Sequence, residues 1–342
     1  MSTISDTSTI HPIALAADRG QPRLTLPTLA RDAPTTADPH AGATADYTID
    51  RRYPTGADHR PFSVVLDGEE LLALLIGEED QLVIRRFGPD GAQRESLAPI
   101  RCGDQPGQIG NPAGIALDAA RNLYLLDSEH CRVLKLDRAG RLLATFGGVM
   151  GIGPGGLAAP RDLEVAPDGS MLLADTRNHR IQRWDRDGRH TMTIGPTIDD
   201  DEDDEIPPGA SAGQFCDPMG VTEDDAGRIY VADTGNHRVQ IFERTGRFLR
   251  AFGDEGEGRG QLHFPTDVRV GADGSIFVFD LHSRRVQRFT ADGGLVYGVV
   301  LRGEGADRIV GTVGDIDVGA DGSLYVPAPA ERQILRIRRV ET

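Results

Sequence analysis

Short runs of β-branched and aromatic residues alternate with polar turn clusters along most of this chain. Residues 220–253, GVTEDDAGRIYVADTGNHRVQIFERTGRFLRAFG, show it most clearly: AG, TGN and TG turns separate apolar runs, which predicts four short strands. The pairs Asp168-Gly169, Asp273-Gly274 and Asp321-Gly322 supply the positive φ that tight hairpins need, so consecutive strands are expected to be antiparallel neighbours. A single four-stranded meander cannot bury both of its faces, so units of this kind must stack on one another.

The units repeat. Four segments begin at Pro112, Pro160, Pro218 and Pro265 and align without gaps. In each, an Asp ends a strand fifteen residues on (Asp127, Asp175, Asp233, Asp280), and an arginine follows five later (Arg132, Arg180, Arg238, Arg285). A turn glycine falls thirteen after the Asp, at Gly140, Gly188, Gly246 and Gly293. The intervals are 48, 58 and 47 residues, and the acidic insert DDDEDDE at 199–205 accounts for the long one. This period fits one blade of a β-propeller.

ADTGNHRVQIF (232–242) and ADTRNHRIQRW (174–184) resemble the NHL-repeat family of β-propellers, whose name quotes the Asn-His pair. The first and fourth units depart from it, reading DSEHCRVLKL and DLHSRRVQRF. The resemblance covers residue 61 to the C-terminus and implies fold, not function, because such propellers include lyases, RNA binders, sensor domains and protein-interaction platforms. Weaker units at 61–97 and 315–340 bring the blade count to six. The expectation is an all-β, six-bladed NHL-type propeller over 45–342, preceded by an extended arm. The last unit supplies three strands and leaves an edge unpaired where the ring must close. YTIDRR (47–52) is expected to fill it as the outer strand of the sixth blade. Residues 1–44, rich in Thr, Ala, Asp and Pro and without period, read as a disordered or partner-docking arm, with LTLPTLA (24–30) as its docking segment.

Composition narrows the function classes. Lys and Arg total 37 against 53 Asp and Glu, a formal charge of −16, and Lys135 is the single lysine. A chain so acidic is a poor partner for phosphate backbones, and no nucleic-acid partner is expected, although Arg161, Arg177, Arg180 and Arg238 could gather into a local basic patch. Cys102, Cys131 and Cys216 lie too far apart for a metal motif or a disulfide framework. The N-terminal residues show neither a basic nor an apolar signal region, and no run of about 18 apolar residues occurs, so the expectation is a soluble chain, cytoplasmic by default, with no membrane partner.

In a meander the first and third connections lie on one face of the disc, and the second connection lies with the blade-to-blade links on the other. The second face carries the NHR-type turns and the long links 147–159, 195–217 and 253–264. Binding is expected there, at Arg161, Arg177, His179, Met219, His237, Thr266 and His282, with the acidic insert at the rim. A protein partner held by this face and the arm is the leading expectation, with no cofactor and no catalytic or metal-ligating residue assigned.

The competing class is a divalent-metal-dependent lyase or hydrolase with its site in the central channel. His130, His179, His237 and His282 all fall in second connections, on separate blades and too far out to share one ion. The repeat also resembles the peptidylamidoglycolate lyases, a likeness that implies zinc-binding histidines directly after the repeat prolines. Here those positions are Ala113, Arg161, Met219 and Thr266, and His263, two before Pro265, stands alone. Channel ligands of the calcium-dependent lactonase type would have to come from Asp162, Glu164, Thr222 and Asp267.

Overall fold

A computed structural model describes residues 47–77, 81–97, 100–105, 107–196, 206–300 and 315–339. The N-terminal 1–44, with its 24–30 segment, and the acidic run 199–205 lie outside the described residues. Six antiparallel sheets form, five of them from strands consecutive in the chain. The fourth blade is representative, with strands Gly220–Glu223, Ile229–Asp233, Arg238–Phe242 and Phe248–Phe252. The first blade adds a short fifth strand, Ile100–Arg101, against Gln81–Phe87. The only helical pieces among the described residues are single 3-10 turns after the second strands of three blades, and no helix there is long and apolar enough to cross a membrane.

The second strands show why the repeat forms a closed disc. LYLLD, MLLAD, IYVAD and IFVFD are buried at every position, because each strand packs on a neighbouring blade on both sides. The core accordingly divides into six clusters, one at each blade-to-blade interface. One joins Leu172, Ala174 and Ile181 of the third blade to Val221, Val231 and Phe242 of the fourth.

The sixth blade is built from both ends of the chain. Tyr47–Pro54 pairs antiparallel with Gln333–Arg339, outside Leu324–Ala328 and Asp317–Val318. Tyr53 from this strand is 1% exposed, in the cluster that joins the last blade to Leu71, Ala73, Leu75 and Phe87 of the first. Its ring meets Phe87 edge-on at 5.6 Å and Tyr325 at 6.1 Å.

Candidate functional site

The periodic Asp and Arg form a joint that recurs in each strong unit. In the third blade, Asp175 Oδ1 accepts the Ala158 N–H at 2.7 Å. Its Oδ2 accepts from Arg180 Nε at 2.7 Å, Gln182 Nε2 at 2.8 Å and Asn178 Nδ2 at 2.9 Å. The Arg180 guanidinium then donates to the carbonyls of Ile152, Gly153 and Gly156, which lashes the incoming link to the blade. The fourth blade repeats this with Asp233, Arg238 and Gln240, and the fifth with Asp280 and Arg285, where Gln287 donates to the link carbonyl of Gln261 instead of to the aspartate. In the second blade Asp127 and Arg132 do it without the glutamine, since Leu134 stands there. Of the four arginines that could gather into a basic patch, Arg180 and Arg238 have their guanidiniums committed to these clamps.

The Asn-His pair has a structural role of the same kind. His179 and His237 take left-handed backbone, φ 49° and 54°, at the end of the 3-10 turn. Their Nδ1 atoms accept the N–H of Asp217 at 2.9 Å and of Phe264 at 3.1 Å, the residues just before the next repeat prolines. Thr176 and Thr234 reach the carbonyls of Pro218 and Pro265 themselves, so one 3-10 turn holds two blades together. An Nδ1 that accepts must be unprotonated, and burial lowers the proton affinity of both rings.

His263 does not stand alone. It lies on the link into the fifth blade, with its ring centroid 3.9 Å from that of His282 and 5.5 Å from that of His237. Of the four second-connection histidines, His237 and His282 each touch His263 on this link, while His130 and His179 stay at their own joints. Glu255 and Glu257 approach His237 and His282 at 4.0 and 3.9 Å, beyond hydrogen-bond distance.

The channel wall holds a second cluster. Asp162, Asp267 and Asp315 lie on the inner edges of the third, fifth and sixth blades, each offering an oxygen within 4.8 Å of the other two. The two candidates that follow repeat prolines by two residues, Asp162 and Asp267, do converge, whereas the other two strong units have Gly114 and Gly220 there. Each carboxylate braces the next blade: Asp162 takes the Val221 N–H, Asp267 the Ile316 N–H, and Asp315 the Ser63 hydroxyl. Arg269 supplies the counter-charge, 2.8 Å from Asp267 and 3.2 Å from Asp162. Glu164 and Asp317 sit nearby, and burial among these acids pushes Glu164 up to about 8 and Asp267 up to about 7.

The seven expected binding residues fall into separate groups. Arg161, Arg177 and His179 share the electrostatic surroundings of Asp217 at the joint between the third and fourth blades. His237 and His282 meet through His263 one joint further on. Met219 is half-buried at the start of an inner strand, while Thr266 is buried with its hydroxyl unpartnered and offers little surface. The loop face instead displays two side chains absent from that set: Val149 and Met150, 62% and 73% exposed, on the link into the third blade.

Stacked meanders closed through both chain ends define a six-bladed β-propeller. Within that class the chain carries the NHL repeat, whose family pattern matches residues 215–242. It is 47% identical over 62 residues to the protein brain tumor of Drosophila melanogaster, a stretch that is 18% of this chain and 6% of the relative. Similarity to human NHL repeat-containing protein 3 is 40% over 62 residues, again 17% of this chain and 18% of the relative. The chain thus spans a small part of the curated relatives it matches. Among solved structures it resembles virginiamycin B lyase from Staphylococcus aureus (TM-score 0.55, 10% identity, 86% of this chain and 100% of that one). It likewise resembles the WD40 propeller of Doa1 (TM-score 0.54, 13% identity, 86% and 98%). At such identities the likeness is one of fold.

Proposed function

We propose that this propeller is a non-enzymatic protein-binding or scaffold module, a subunit of a larger assembly, with its contact surface on the loop face. The observation that carries this reading is the exposed pair Val149 and Met150. A link otherwise lashed down by Arg180 presents apolar side chains to solvent, an arrangement suited to burial against a partner. Arg177, beside the same joint, is exposed and supplies a polar rim. Met219, Arg161 and the His179, His237 and His282 rings would form the floor of the contact.

The test is crosslinking of the full chain to its partner in native extract, beside the double variant Val149→Asp, Met150→Asp. A partner crosslinked at this link and lost in the variant supports the reading. A partner retained by the variant, or captured RNA in place of protein, defeats it.

A second reading, a divalent-metal enzyme with its site in the channel, draws on the convergence of Asp162, Asp267 and Asp315. Against it, Arg269 already holds the position of a cation between two of these carboxylates, and all three brace neighbouring blades.

A further inference from the structure

Two imidazoles in van der Waals contact need a reason to be there. The rings of His263 and His282 are 3.9 Å apart, centroid to centroid, and tilted by 36°. As neutral rings they share no hydrogen bond in this arrangement, and as cations they would repel. The backbone nevertheless fixes them side by side: the His263 N–H donates to Asp280 Oδ1 at 3.1 Å, and the His282 N–H donates to the His263 carbonyl at 3.2 Å. Asp280 is itself anchored by Arg285, so the pair rests on the fifth blade's clamp, not on a free loop.

Glu257 completes the group. One ligating atom from each of Glu257, His263 and His282 lies within 4.8 Å of the other two, on the solvent side of the link. The Glu257 carboxylate stops 3.9 Å from His282 Nε2, too far for a hydrogen bond. His263 Nδ1 is enclosed with no hydrogen-bond partner, a polar atom left over once the protein's own contacts are counted. Bonds of about 2.0–2.1 Å in a tetrahedral shell put ligand atoms about 3.3 Å apart, so small side-chain rotations close this set around one ion.

We propose that Glu257, His263 and His282 form a site for a divalent first-row transition ion, with zinc as the expected occupant. Two imidazoles and one carboxylate are a borderline-soft set that suits zinc over magnesium or calcium. Three protein ligands leave one coordination position open, facing solvent on the loop face. His237 stands behind His263, with its Nδ1 committed to the Phe264 N–H, and shields the site on that side. The site is distinct from the channel acids and stands independently of the protein-binding reading.

The experiment is calorimetric titration of chelator-treated full-length protein with zinc chloride, with magnesium chloride in a parallel titration. The cobalt(II) absorption spectrum of the same sample reports the ligand shell. One zinc per chain with micromolar or tighter affinity, no saturable magnesium binding and a tetrahedral cobalt band support the site. His282→Ala and Glu257→Gln, both at exposed side chains, are expected to weaken zinc at least tenfold while leaving thermal unfolding within a degree or two. Absence of saturable zinc binding by the unmodified protein overturns the proposal. So does zinc binding that both variants retain in full, which would place the ion elsewhere. Should a variant unfold, zinc-dependent shifts of the histidine imidazole resonances in the unmodified protein decide: movement of His263 and His282 supports the site, and their constancy refutes it.

Discussion

Arg180 Nε donates to Asp175 Oδ2 at 2.7 Å in a place where both side chains are almost wholly out of solvent, 2% and 0% exposed. A pair so buried is a joint and not a surface decoration. Three further N–H groups of the guanidinium end on carbonyls of the link, so the contact couples blade and link geometry.

Removing one member of such a pair strands the other. Arg180→Ala is expected to destabilise the propeller by about 3–5 kcal/mol, because Asp175 is left buried with its charge unmatched. Arg180→Lys recovers only part of this, since an ammonium cannot serve the carboxylate and the carbonyls at once. Arg132→Ala, at the more open joint of the second blade where the arginine is 15% exposed, costs less. Urea unfolding of the three variants gives the order, and equal losses at the two joints would contradict the burial argument.

The pairing of Tyr47–Pro54 with Gln333–Arg339 leads us to propose that this strand is the clasp that closes the ring. Tyr53 then carries much of the closure, wedged among Phe87, Tyr325 and Ile334. Tyr53→Ala is expected to cost about 3 kcal/mol or more through the cavity it leaves between the last and first blades. Deletion of residues 1–55 is expected to lower the melting temperature by well over ten degrees. An unchanged melting curve for the deletion would show that the ring closes without the strand.

How much of this was legible in the residues follows from which positions repeat. Asp175, Arg180 and their counterparts recur at fixed spacing because every blade needs the same clamp, and turn glycines recur because every hairpin needs positive φ. Gln182, Gln240 and Gln287 recur seven residues after the Asp in three of the four strong units, but an uncharged amide on a strand reveals its role only through the bonds it makes to the Asp or the link carbonyl. The channel phase was not readable. In a propeller both faces of the inner strands are covered, so Asp162 and Glu164 show no alternation between buried and exposed neighbours to orient them. Contact between His263 and His282 belongs to a link and a turn of irregular backbone, where spacing along the chain says nothing of spacing in space.

Acids in the channel and histidines in the joints respond to pH in opposite directions. Glu164, pushed up to about 8 by burial, and Asp267, up to about 7, hold protons in the folded state that the unfolded chain releases near its ordinary carboxylate range. Stability from this source is fully present below about 4.5 and is lost as pH rises toward 8. Melting temperature is expected to fall by several degrees between pH 6.5 and 8.5, with a flatter profile for Glu164→Gln. A profile that rises over that range, or one that Glu164→Gln leaves unchanged, would remove the channel from the explanation.

His179 and His237 work from the acid side. Each Nδ1 accepts a backbone N–H from the residue before the next blade's proline, and only the unprotonated nitrogen can do so. Burial lowers both proton affinities below the ordinary imidazole value, so the unfolded chain takes up protons first. Their contribution is present above about pH 6.5 and is lost as pH falls through the depressed folded value. His237→Ala removes the acceptor outright and is expected to cost about 1–2 kcal/mol at neutral pH, the penalty of a half-buried N–H left unpaired. His237→Asn, which tolerates left-handed backbone and keeps an acceptor oxygen, is expected to recover part of that loss and to weaken the acid-side slope. Melting curves of the three proteins between pH 5 and 7 separate the effects. An alanine variant as stable as the parent at pH 7 would show that the Phe264 N–H finds another partner and that the histidine of the repeat does not hold the blades together.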